Sequence, residues 1–412
     1  MIKKDLESAG IVLNREKSIW MPSQKGKFWG FNIDTTKMEF SVPTEKIVKL
    51  LSLLKVALNS KKCDANFIAR IAGRIISMGP ALGPISRLMT RGLYTFIQSR
   101  SSWFKEEILG EETITELKFW ESNIRKASGF RIKGSAITTK VIFSDASDHG
   151  YGGFVMTRLG NQIAKGSFDK AECIESSTYR ELIAVKYILQ SFGNLVADEK
   201  ILWYTDNMNT ARIIEVGSKK PKLTTIALDI FSISVAKNIE IHPIWIPREQ
   251  NCEADKISKD LDSDSWGIDG ETFNFIEENF GNFTYDRFAD EFNRRTKLFS
   301  ARYFCPGADG INAFTSDWSN HFNWLCPPIS LIGTVLKHMY RCKADGVLLV
   351  PEWHASKFWP FLVDDQGKNF NNFVKRILVL DPFFIAFNKK AANIFSGHKK
   401  FRTFALLISF HE

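Results

Sequence analysis

The sequence predicts a multidomain chain: an α-helical block, then a mixed α+β sheet, then an aromatic-rich α/β block. Three observations predict it. Between residues 43 and 130 apolar residues recur at helical spacing. From about residue 137 three strands follow one another and then alternate with helices, as in a mixed sheet with an antiparallel edge. The polar stretch Asp262-Ser263-Asp264-Ser265 then reads as a linker to residues 266–412. The 412 residues are long enough for two or three cores, and 44% hydrophobic against 25% charged is a globular balance.

Residues 1–42 read as strands and turns. Ile11–Leu13, Lys27–Ile33 and Met38–Ser41 carry the apolar residues, with a turn at Asp34-Thr35-Thr36. Pro43 and Thr44 open a helix over 46–58, in which Ile47, Leu50, Leu51, Leu54 and Ala57 form one stripe. Further helices are expected over 65–78, ending at Gly79-Pro80, over 83–98 and over 113–125. In the second block strands are expected over 141–145, 152–157, 162–167, 201–205 and 239–246. Helices are expected there over 178–191, 209–216, 224–236 and 252–259.

Charge is uneven along the chain. Residues 1–135 hold 23 Lys/Arg against 13 Asp/Glu, although the whole protein carries only +9. Residues 41–100 have 10 basic and 2 acidic residues, too few acids for helical ion pairs to be what the basic residues serve. A basic module beside a nearly neutral remainder fits a polyanion-binding surface. The longest apolar run, Ile377–Phe387, is broken by Asp381 and Pro382 and falls short of the ~20 residues of a membrane span. The opening residues lack the apolar core of a secretory signal. Six cysteines with no CxxC pair argue against a zinc knuckle or disulfide scaffold, so an intracellular, reducing setting is expected.

Four acids stand out. Asp145 continues the face of Val141 and Phe143 at a strand end, and Asp206 does the same after Leu202 and Tyr204. Glu181 shares a helical stripe with Ala184, Val185 and Ile188. Asp255 lies in the first turn of the last helix, after Asn251. Each has an ordinary explanation. Asp145 could serve the turn, Asp206 could cap the next helix, Glu181 could pair with Arg180, and Asp255 could stabilise a helix N-terminus. Together they suggest one site at a sheet end. Four anions would repel there, whereas two divalent cations ~4 Å apart would neutralise them and organise attack of water on a phosphodiester. Oxygen-only ligands favour Mg²⁺ or Mn²⁺.

The stretches Phe143-Ser-Asp145-Ala-Ser…Gly150-Tyr-Gly-Gly153, Tyr179-Arg-Glu181-Leu-Ile-Ala184, Trp203-Tyr-Thr-Asp206-Asn207 and Trp245-Ile-Pro-Arg-Glu-Gln-Asn251-Cys-Glu-Ala-Asp255 resemble a ribonuclease H domain. In particular they resemble that of DIRS-type, tyrosine-recombinase retrotransposons. The resemblance covers about residues 138–260 and maps the family's catalytic, metal-holding positions onto Asp145, Glu181, Asp206 and Asp255. It implies hydrolysis of RNA in RNA–DNA hybrids. Relatives often carry a His in the loop before the last Asp; here that loop holds Arg248 and Glu249, and His242 lies on a strand, where it reads as structural.

The resemblance continues on both sides. Asn14-Arg-Glu-Lys17-Ser18, Pro22 and Phe28-Trp-Gly-Phe31-Asn-Ile-Asp34 resemble the end of a reverse-transcriptase palm and its primer-grip hairpin, residues 1–42. Residues 43–136 resemble thumb and connection helices, through Ala72-Gly-Arg-Ile-Ile-Ser-Met78 and Gly83-Pro-Ile-Ser-Arg-Leu-Met-Thr-Arg91. The nuclease-like domain spans 137–261. No YxDD-like polymerase motif occurs, so polymerisation is not expected, and a missing polymerase half could join in trans. Residues 266–412, through Phe283-Thr-Tyr-Asp286, Asn293, Asp309-Gly310, Asp317-Trp318, Cys326-Pro-Pro-Ile329 and Leu348-Leu-Val-Pro351, resemble a degenerate, Rossmann-like methyltransferase segment. Cys326 stands where that family has Asn and cannot offer its amide carbonyl. The competing expectation is an inactive, transposon-derived nucleic-acid-binding module.

Overall fold

The computed structural model describes residues 2–14, 18–131, 140–260, 266–380, 386–387 and 402–411. Arg15–Lys17, the expected boundary at 136/137, the 262–265 linker and Asp381-Pro382 lie outside them. The chain divides into two compact units, residues 1–136 with 215–224, and residues 137–214 with 225–412. No described helix is long and apolar enough to cross a membrane.

The first unit begins with a helix, Ile2–Ser8, which the sequence reading missed, and the strand expected over 11–13 is absent. The strand expected over 27–33 is instead a hairpin, Lys25–Phe28 with Phe31–Asp34. Trp29 and Gly30 both take positive φ (49° and 76°) and reverse the chain in two residues. Helix Thr44–Ser60 buries Ile47, Leu50, Leu54 and Ala57. Helix Ala65–Ser77 is capped by Asp64, whose carboxylate accepts the Phe67 N–H at 2.6 Å.

The single helix expected over 83–98 is wrong: the chain forms Ile85–Leu88 and Arg91–Gln98 with a break at Met89-Thr90. Helix Glu111–Ala127 causes the break. Its Glu116 accepts the N–H groups of Gly92 (2.8 Å) and Leu93 (2.9 Å), and its Trp120 Nε1 donates to the Met89 carbonyl at 2.6 Å. The two groups that would have closed the turn from Leu93 to Met89 are taken by side chains distant in sequence.

Among the described residues the second unit holds a five-stranded sheet, a seven-stranded sheet and a short antiparallel pair, Gly267–Ile268 with Ala386–Phe387. Strands β1 (Lys140–Ala146), β2 (Gly150–Thr157), β3 (Gly160–Ser167), β4 (Lys200–Thr205) and β5 (Glu240–Trp245) form a mixed sheet in the order β5-β4-β1-β2-β3. β1, β2 and β3 are antiparallel, whereas β4 runs parallel to both β1 and β5. Helices α1 (Ser177–Phe192), α2 (Met208–Val216), α3 (Pro221–Ala236) and α4 (Cys252–Lys259) agree with the expected elements to within three residues at each end. Leu182, Val185, Ile188, Leu189 and Phe192 of α1 are buried with Ile142, Val155, Ile201 and Trp203 of the sheet.

Helix α5 (Gly270–Phe280) then precedes a seven-stranded sheet made of β6 (Tyr285–Asp286), β7 (Leu298–Ala301), β8 (Gly310–Ile311), β9 (Phe322–Leu325), β10 (Asp345–Pro351), β11 (Val374–Leu380) and β12 (Thr403–Ile408). Helix α6 (Ile332–Cys342) joins β9 to β10. Strand order is β8-β7-β6-β9-β10-β12-β11; all pairs through β10 are parallel, and β12 alone runs antiparallel to both neighbours. The order reverses between β6 and β9, which places a crevice at the carboxyl ends of the strands. There a cavity of about 840 Å³ is lined by Trp266, Phe288, Asp290, Tyr303, Asn312 and Cys326 among others. Cys326 follows the end of β9, and its thiol faces the Trp266 carbonyl at 3.7 Å. The five- and seven-stranded sheets also meet along an edge: Phe304 N–H donates to the Ile163 carbonyl, and Lys165 N–H donates to that of Phe304.

Candidate active site

The sheet order explains why distant acids meet. β1 and β4 are neighbours and parallel, so Asp145 near the end of β1 and Asp206 just past the end of β4 leave the same sheet edge. Glu181 comes from the second turn of α1, which packs across β1 and β2. One carboxylate oxygen from each of Asp145, Glu181 and Asp206 lies within 4.8 Å of the others, the only such acidic, His or Cys group among the described residues. Asp145 and Glu181 are buried and Asp206 is partly so.

A strand glycine sets the geometry further. A Cβ on Gly152, which pairs with Asp145 across the β1–β2 ladder, would stand 2.4 Å from the Ser258 nitrogen and 2.6 Å from the Ile257 carbonyl carbon. With no side chain there, α4 lies directly on β2. Gly153 faces the other side of the sheet and gives the same room to Ile188 of α1. The close approach of α4 brings the Ser258 hydroxyl to Asp145, where it donates to Oδ2 at 2.5 Å. Ser147 donates in turn to the Ser258 carbonyl at 2.8 Å. The strand end is pinned through Ser144: its hydroxyl accepts from Trp203 Nε1 at 2.8 Å, and its carbonyl accepts from Asn251 Nδ2 at 2.9 Å.

Neighbours perform three of the four ordinary duties that the acids could have had. Asn207, not Asp206, caps α2 by accepting the Thr210 N–H at 3.0 Å. Ser147, not Asp145, serves the β1–β2 turn by accepting the Gly150 N–H at 3.1 Å. Arg180 pairs with Asp148 at 2.6 Å rather than with Glu181. Asp255 differs. Its carboxylate accepts from Arg248 Nη2 at 2.9 Å and from Lys259 Nζ at 2.7 Å, and it is not part of the group of three. His242 pairs with Glu240 along β5 at 2.9 Å, as a structural strand residue would.

The electrostatics follow from this placement. Burial, and then the charges of Asp145 and Asp206, hold the Glu181 carboxyl well above its usual range. Burial raises Asp145 too, with Ser258 opposing it and the charge of Asp206 adding to it. Burial also raises Asp206, opposed chiefly by Arg248. Asp255 is lowered, first by its hydrogen bond from Lys259. Glu181 Oε2 is buried without a hydrogen-bond partner among the described residues. A buried acceptor left bare beside two other carboxylates is unfavourable unless a cation completes it. The all-oxygen donor set fits Mg²⁺ or Mn²⁺. Asp145, Glu181 and Asp206 would hold it, with Asp255 within electrostatic reach.

Sequence reasoning missed Ser258, and met Trp203 and Asn251 only as motif residues without their contacts to Ser144. Ser258 left one signal, a polar residue four positions after buried Ala254 on the inward face of α4.

No protein-family model matches the chain, and no curated protein does. Solved structures do resemble parts of it. A foamy viral protease–reverse transcriptase in complex with double-stranded DNA is 16% identical, with a TM-score of 0.30, over 59% of this chain and 41% of that one. LC11 ribonuclease H1 in complex with an RNA/DNA hybrid is 20% identical, with a TM-score of 0.25, over 29% of this chain and 93% of that one. Ribonuclease H1 from Halobacterium salinarum is 14% identical, with a TM-score of 0.25, over 29% of this chain and 92% of that one.

Proposed function

We propose that the chain is a metal-dependent endonuclease that hydrolyses the RNA strand of RNA–DNA hybrids. In this reading it is a fragment of a DIRS-type reverse transcriptase and ribonuclease H without a polymerase site. The observation that carries the reading is the convergence of Asp145, Glu181 and Asp206 within 4.8 Å, with a buried Glu181 oxygen left bare. Bound Mg²⁺ or Mn²⁺ would supply Lewis acidity toward the phosphodiester and lower the pKa of a water. The chain's own residues do the rest. Ser258 occupies one oxygen of Asp145 and so fixes the orientation of the carboxylate. Trp203 and Asn251 hold the end of β1 still through Ser144. Burial of Glu181 excludes bulk water from one wall of the site.

Residues 1–42 are assigned to the end of a palm with its primer-grip hairpin, and 43–136 to thumb and connection helices. Exposed Lys49, Lys55, Lys61, Lys62, Arg70 and Arg87 there would contact duplex phosphates. Recognition would then rest on A-form shape and 2′-hydroxyls rather than on base sequence. The test is cleavage of an end-labelled hybrid with Mg²⁺ by the wild type and by Asp206→Asn. Cutting by the wild type, and its loss in the variant, is the expected result. Equal activity in both proteins removes the reading, and binding without cutting by the wild type favours an inactive nucleic-acid-binding module.

A second reading concerns residues 266–412. The strand order and the cavity at the switch point favour a Rossmann-like module that keeps a small-molecule site, although Cys326 in place of Asn speaks against methyl transfer. Calorimetric titration with S-adenosylmethionine tests it, and absence of binding leaves a scaffold role.

A further inference from the structure

The fourth carboxylate lies outside the group of three and is paired with two cations of the chain itself. Both oxygens of Asp255 accept from Lys259 Nζ at 2.7 Å, and Oδ1 accepts from Arg248 Nη2 as well. The Arg248 and Lys259 side chains are 68% and 53% exposed, whereas that of Asp255 is 19% exposed. Their charge extends past Asp255: both act on Asp206, and Arg248 acts on Asp145. The acidic cup thus carries its own positive charge on two long, solvated stems, and exposed pairs of this kind exchange partners at little cost.

A divalent cation at Asp255 would need the same lone pairs and would repel both side chains. A duplex offers them other acceptors. Phosphate oxygens suit the planar fork of an arginine and the point charge of a lysine.

We propose that Arg248 and Lys259 are resident counter-cations of Asp255, which move to backbone phosphates when a duplex binds and thereby release Asp255 to a second divalent cation. This rests on the reading of the acidic group as the hydrolytic cation site. Duplex binding and occupation of the Asp255 position are then positively coupled, and by linkage each tightens the other. Arg248 and Lys259 act through Asp255 and are positioning residues.

The experiment uses the full chain and two binding measurements rather than cleavage. Mn²⁺ is titrated calorimetrically without nucleic acid into the wild type and Arg248→Gln/Lys259→Gln. Hybrid affinity is measured by fluorescence anisotropy in EDTA across a salt series. Both substitutions are at exposed positions, so folding is expected to survive. In the double variant a second Mn²⁺ should bind about tenfold more tightly, within the usual range of such couplings. The slope of log affinity against log salt should fall by about two, close to one for each phosphate that is no longer neutralised. An unchanged second Mn²⁺ affinity, or an unchanged salt slope, overturns the proposal while leaving the first cation site intact. If neither protein binds Mn²⁺ at all, the acidic group is not a cation site and the functional reading falls together with the proposal.

Discussion

A methyl group on Gly152 would displace the backbone of α4, because the atoms it meets are the Ser258 nitrogen and the Ile257 carbonyl carbon rather than a side-chain tip. Gly152→Ala should therefore destabilise the protein by about 1–3 kcal/mol, the usual range for overpacking. It should also lift Ser258 from Asp145 and, on the proposed function, reduce hybrid cleavage beyond what the stability loss explains. Urea unfolding and single-turnover cleavage measure the two effects, and unchanged cleavage would mean that Ser258 does not set the carboxylate. Asp145, Asp206 and Glu181 were legible because each breaks a local rule, as an Asp ending an apolar strand face or a Glu within a buried helical stripe, whereas Asp255, ordinary in a first helical turn, was legible through the motif around it. Ser258 and Asn251 break none, since a Ser on a helix and an Asn before one are ordinary. Their importance comes from contacts with residues more than 100 positions away, which no local pattern carries.

The same contrast holds for elements. Strands β1 to β5 and helices α1 to α4 were readable because burial on one face imposes a period on the sequence. The break at Met89-Thr90 was not, since Glu116 and Trp120 make it from another helix. Burial pushes the Glu116 carboxyl up from 4.5 to about 7, with the Gly92 and Leu93 N–H groups opposing it. A raised folded-state pKa means that its contribution is fully present below 4.5 and is lost as pH rises toward about 7. The wild type should accordingly lose stability relative to Glu116→Gln across that window, by on the order of 1–3 kcal/mol. An offset is expected as well, because an amide accepts at only one of its two ends while both oxygens of the Glu116 carboxyl accept an N–H. Urea midpoints for both proteins between pH 4 and pH 8 test this, and parallel curves would show that Glu116 does not titrate in the window.

At the scale of the molecule, the five-stranded sheet is covered at its β3 border. β3 is a border strand, whose outward ladder groups are a liability that folded proteins usually cover. Here the chain after β7 covers it: Phe304 exchanges backbone hydrogen bonds with Ile163 and Lys165, and its ring lies 5.3 Å from that of Phe192. Fully buried Tyr151 reaches across from β2 and donates its hydroxyl to the carboxylate of Glu291 at 2.9 Å. A hydrogen bond to a charged acceptor contributes about 1.5–3 kcal/mol, and Phe in place of Tyr would leave that carboxylate short of a donor. The five- and seven-stranded sheets of the second unit should therefore unfold together. Calorimetry of the wild type should show one transition for them, and Tyr151→Phe should lower it as a whole. Were the wild type to melt in two separated steps, and Tyr151→Phe to leave both unchanged, the covered edge would be a contact without energetic weight. The C-terminal block would then be a passenger, and its loss would leave the proposed hybrid cleavage untouched.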